Sequence, residues 1–177
     1  RPDNIDETLN GTSTLDVATL TNSGSTIRGL PPLEYLIYAP EILVDFQANP
    51  RRCPFITAAA GDLANNAKAI RTAWDPSGDN YLATLTQPEE TQGDFESVDA
   101  ALAELVNRMG HTLENIRKDK LITPLGESTG VVQYDKVESH YSHRSVQDIR
   151  DNLKGIERIF KGSEGGIGVE DLLGKQR

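Results

Sequence analysis

Ser145-Val-Gln-Asp-Ile-Arg-Asp-Asn-Leu-Lys-Gly-Ile-Glu-Arg-Ile-Phe160 is the stretch whose reading decides the fold class. Val146, Ile149, Leu153, Ile156 and Phe160 recur at spacings of three and four, which puts them on one face of an α-helix. The pattern predicts a helix over about 142–160, ended by Gly162 and Gly165-Gly166, with a short turn from Val169 to Leu173 after it. Upstream, Leu102, Leu105, Met109, Leu113 and Ile116 make a second apolar stripe on a helix capped by Ser97 and broken at Thr123-Pro-Leu-Gly126. A third helix takes Asn49 as its cap, carries Pro50 near its first turn and runs to about Trp74, before Asp75-Pro-Ser-Gly78. A fourth covers Pro32 to Tyr38 and stops ahead of Pro40. Polar loops follow around Gln87, Pro88 and Gly93 and over 127–137, and only Val131-Val-Gln-Tyr134 shows a weak strand-like alternation.

The expectation is an all-α, up-down helical bundle in one domain spanning 1–177. Residues 1–27 read as a loop-rich lead-in, because Asn10-Gly11 and Asn22-Ser-Gly24 are turn chemistry and Leu15, Val17 and Leu20 suggest at most a short regular piece. Residues 28–161 form the helical core, and 162–177 a C-terminal turn.

Composition narrows the function. A compact chain of 177 residues buries roughly 70% of its unfolded surface. With 37% hydrophobic residues and 25% charged, no run approaches the ~20 apolar residues of a membrane span. A net charge of −9 argues against nucleic-acid partners and against anionic membrane surfaces. Arg1-Pro-Asp-Asn reads as the interior of a mature chain, so no leader peptide is expected within it. Cys53 is the single cysteine, which excludes a disulfide within this span and any thiolate-rich metal or iron–sulfur site. It is expected to be a small buried hydrophobe of its helix, with pairing to a cysteine in an absent segment as the alternative.

Arg28-Gly-Leu-Pro-Pro-Leu-Glu-Tyr-Leu-Ile-Tyr38 places a basic side chain, a glycine and two prolines ahead of an apolar helix. Proline suits a first turn, where its missing N–H costs nothing. Glu34 is expected inside that turn, where the helix dipole favours a carboxylate. Tyr35 and Tyr38 fall on one face beside it.

Taken in order, this segment, Arg51-Arg52-Cys53 ahead of an alanine-rich helix, Asp119-Lys-Leu-Ile-Thr-Pro-Leu-Gly126 and Glu138-Ser-His-Tyr-Ser-His-Arg-Ser145 leading into Asn152-Leu-Lys-Gly-Ile156 resemble the imelysin family. The match runs from about Arg1 to Leu173, and imelysins extend further at both ends, so the chain looks like the central part of one. The resemblance implies a fold of two helical bundles and a bacterial cell-envelope location, periplasmic or outer-membrane-associated, as for a lipoprotein. It also implies a link to iron uptake, and a metallopeptidase classification. Missing terminal segments or a second chain would then cover apolar faces left open here.

The signature of that family is G-x-H-x-x-E, whose histidine and glutamate are proposed to bind a metal. Gly29 and Glu34 match it, but Pro31 stands at the histidine position and offers a metal no electron pair. No H-E-x-x-H occurs in the chain, and no residue is assigned a catalytic role. Whether the chain is an enzyme stays open, and the substitution leans against it.

His140 and His143, three apart and near Glu138, would share a face if that stretch were helical, and with Glu34 and Glu138 could clamp one divalent cation. The bland alternative is a solvated helix start, and His111 reads as a surface residue. Iron, zinc and haem all remain open as cofactors. A polar pocket suits the residues better. Ser142, Ser145, Asp148 and Asn152 make one helical stripe beside the apolar one, and the resemblance sets Arg28, Gly29 and Glu34 against Glu138, Ser139, Ser142 and Ser145. Such a pocket would take a small polar ligand or a metal ion, with Arg28 orienting the two glutamates.

Three readings stand. The first is a non-enzymatic, envelope-located binding protein linked to iron or haem uptake. The second is a metallopeptidase in which another histidine, such as His140, replaces the missing one. The third is a helical scaffold whose polar stripe is structural.

Overall fold

The computed structural model describes residues 2–40, 42–91 and 93–174. It is an all-α helical bundle, with no strand among the described residues, so Val131–Tyr134 carries none. The chain divides into two compact units, Arg1–Val98 and Asp99–Arg177.

In the first unit, α1 (Pro2–Asn10), α2 (Val17–Thr21), a single 3-10 turn (Ser25–Ile27), α3 (Leu30–Tyr38) and α4 (Ile42–Ala48) precede the long α5 (Arg52–Trp74), and α6 (Tyr81–Thr86) and α7 (Pro88–Thr91) follow it. Helices α2, α3, α4 and α6 all touch α5, while α1 packs on α3 and the 3-10 turn. Ile5, Leu9, Leu20, Leu36, Phe55, Ala58 and Ala59 form the buried core, with Leu15, Ile27, Leu33, Tyr35 and Ile56 packed around it. Small residues on α5 let α2 come close: a Cβ added at Gly61 would lie 2.6 Å from Cγ2 of Val17. The core follows only the first half of α5, and residues 64–72 are exposed.

The loop-rich lead-in is corrected by this core. Residues 2–10 form α1 and supply Ile5 and Leu9, one turn apart, and Leu20 comes from α2. Asn10-Gly11 is a turn signal, but it ends a helix rather than marking a loop. Asp16 caps α2, its carboxylate accepting from the Thr19 amide at 2.7 Å. Asn49 caps the turn before α5, accepting from the Arg51 amide at 3.0 Å. The loop expected around Gln87 holds α6 and α7 instead.

Two adjacent arginines tie helix ends to α5. Arg51 donates from Nε to the carbonyl of Leu9 (3.1 Å) and from Nη2 to that of Thr8 (3.4 Å), acceptors at the end of α1, and to that of Ser13 (2.6 Å) in the connection beyond it. Arg52, 2% exposed, donates from Nη1 to the carbonyl of Leu36 at 3.1 Å near the end of α3. Cys53, expected to be buried, is exposed, because the adjacent arginines and Phe55 take the inward positions.

In the second unit, α8 (Val98–Asn115, its first residue counted with the first unit) runs into a π-helical stretch (Ile116–Ile122) and α9 (Thr123–Leu125), which ends at Gly126. The π stretch lies just ahead of Pro124, whose ring would clash with the Lys120 carbonyl in a continuous α-helix. Gly126 has φ +72, and a Cβ there would sit 1.8 Å from the Val131 carbonyl oxygen, so the returning loop requires glycine. A 3-10 turn (Tyr134–Lys136), α10 (Ser145–Lys161) and α11 (Val169–Gly174) complete the unit. Helix α10 packs on the π stretch and on α11. Ile149 and Ile156 of its predicted stripe are half-buried, but Val146, Leu153 and Phe160 are 64%, 44% and 38% exposed.

Candidate functional site

Arg28 leads into α3. Its backbone is extended, and Gly29 follows at φ +88, a conformation that favours glycine. The first turn of α3 is Leu30-Pro31-Pro32, beginning two residues earlier than the sequence suggests. Glu34 therefore lies in the second turn, beyond the reach of most of the dipole benefit expected for it. It is half-buried, and exposed Pro31 stands one turn before it.

The Arg28 side chain turns away from that helix to α5. Nε donates to Oδ2 of Asp62 at 2.9 Å and Nη2 to Oδ1 at 2.8 Å, a two-bond pairing, while Nη1 donates to the Thr21 carbonyl at 2.9 Å. Asp62 is 1% exposed and also accepts from the Thr21 hydroxyl at 2.9 Å and the Asn66 amide at 3.5 Å. The guanidinium of Arg28 holds the Asp62 carboxyl below the usual carboxylate range, against the opposing effect of burial, and Asp62 raises the basicity of Arg28 in turn. This corrects the role expected for Arg28: its guanidinium is committed to Asp62. Tyr35 donates to both oxygens of Asp6, at 2.9 and 3.0 Å, joining α3 to α1, whereas Tyr38 is exposed.

The remaining candidates belong to the second unit. Glu138, half exposed, pairs with Nζ of Lys120 at 2.6 Å, tying the polar turn to the π stretch. Ser139 donates from its hydroxyl to the Asp148 carboxylate and from its amide to Oγ of Ser145 at 3.0 Å. Those bonds organise the entry to α10. The helix begins at Ser145, not Ser142, so Ser142 leaves the stripe that Ser145, Asp148 and Asn152 keep. Residues 138–143 are turns, and His143 is left-handed at φ +56, so His140 and His143 do not share a helical face. Both are exposed, and His140 meets Tyr141 edge-on with ring centres 5.0 Å apart. His111 is exposed, as expected.

Sequence reasoning passed over Asp62, Thr21 and Lys120. A signal for Asp62 was present. Phe55, Ala58, Ala59 and Asp62 follow the three-and-four spacing of a buried face, so a carboxylate sits at a core position and needs a cation.

The model of the imelysin family matches residues 2–177. The chain belongs to the imelysin family. Iron-regulated protein A of Synechococcus elongatus is 26% identical to it over 105 residues, which is 58% of this chain and 28% of that relative. The chain thus spans little more than a quarter of the relative it matches. No solved structure matches it.

Set against the imelysin signature, the donor set of this chain is incomplete. Pro31 replaces the imidazole, which leaves Glu34 as the one residue matching the two signature ligands. Among the described residues no group of three or more His, Cys, Asp and Glu side chains is placed to hold a metal ion. A single carboxylate does not fit the signature metal. No helix among the described residues is long and apolar enough to cross a membrane.

Proposed function

We propose that this imelysin-family chain is a non-enzymatic binding protein of the cell envelope that serves iron or haem acquisition. The observation that carries the reading is Pro31. The family signature sets an imidazole one turn before its glutamate, and here the first turn of α3 offers Pro31 and Pro32 instead. The name of the cyanobacterial relative, iron-regulated protein A, supports the connection to iron. Glu34 supplies negative charge to the ligand from α3, and the Arg28–Asp62 pair fixes the backbone that leads into that helix.

The test is the metal and haem content of the purified protein, by elemental analysis and absorption spectroscopy. Titration with ferrous iron, zinc and haemin and a peptidase assay on an unfolded protein substrate complete it. Binding of iron or haemin that Glu34→Gln weakens at least tenfold, without peptide cleavage, is the expected result. Cleavage that is lost in Glu34→Gln would overturn the reading in favour of a peptidase. A protein that binds none of the probes would overturn it in favour of a scaffold.

A further inference from the structure

We draw no further inference here: the strongest candidate, the exposed apolar row of Val146, Leu153 and Phe160 along α10 in the second unit, carries nothing because nothing in the structure shows what covers it.

Discussion

Arg28 and Asp62, thirty-four residues apart, meet in a two-bond ion pair at 2.8 and 2.9 Å, and Thr21 closes it from both sides. Three segments are fastened at one point: the end of α2, the turn into α3 and the middle of α5. The carboxylate is buried and the guanidinium only a quarter exposed, so neither is well served by water if its partner is removed.

Replacing Asp62 by alanine removes both carboxylate bonds of Arg28 and leaves the guanidinium only the Thr21 carbonyl, while the Thr21 hydroxyl keeps the Val17 carbonyl as its acceptor. The expected loss is about 2 to 3 kcal/mol of stability, read as a lower urea midpoint with an unchanged slope. A change within experimental error would show that the pair is replaced by water at no cost.

The same pair makes stability depend on acid. The folded-state pKa of Asp62 is depressed, so its contribution is complete above the unfolded value of about 4 and is lost as the pH falls through the lower folded value. Asp16 and Asp75, held down by hydrogen bonds from Thr19 and Ser77, act in the same direction. Urea midpoints taken at decreasing pH below about 5 should fall more steeply for the wild type than for Asp62→Asn. Parallel curves would remove Asp62 from the acid transition.

Gly61 of α5 lies against Val17 of α2, with no room for a Cβ. Gly61→Ala brings a methyl group to 2.6 Å from Val17, whose β-branched side chain has little freedom to turn aside. Despite the better helix propensity of alanine, a net loss of about 1 to 3 kcal/mol is expected, and Val17→Ala in the same chain should recover part of it. A thermal-denaturation double-mutant cycle reads the coupling. Strict additivity would mean that the two helices separate freely.

Gly126 is constrained twice, by its left-handed backbone and by the Val131 carbonyl. Gly126→Ala should cost about 2 kcal/mol or more and open the loop that Gln133 closes on the Pro124 carbonyl at 2.8 Å. Hydrogen exchange at the Gln133 amide is the local readout. Exchange as slow as in the wild type would show that the loop absorbs the side chain elsewhere.

The helices were legible where the signal is local. Pro40, Asp75-Pro-Ser-Gly78 and Gly162 stop helices in the structure as their chemistry requires, and Val98–Asn115 and Ser145–Lys161 follow their apolar periods. Legibility failed where turn residues stand at helix ends. Asn10-Gly11 suggested a loop, although Ile5 and Leu9 before it already carried helical spacing. The candidate site was less legible still. Gly29, Pro31 and Glu34 could be named from the signature, but Arg28 could not be given its partner, because any of the acidic side chains could have served.

Sequence by itself determined the all-α class, the family and the proline at the signature histidine position, because periodicity, helix breakers and residue identity are properties of short segments. Tertiary structure decided that Arg28 serves Asp62, that Arg51 and Arg52 cap α1 and α3, and that Lys120 meets Glu138. It also decided that the α10 stripe is only half covered. Those are pairings between groups far apart along the chain. Their energies depend on distance and burial, which exist only once the helices have packed.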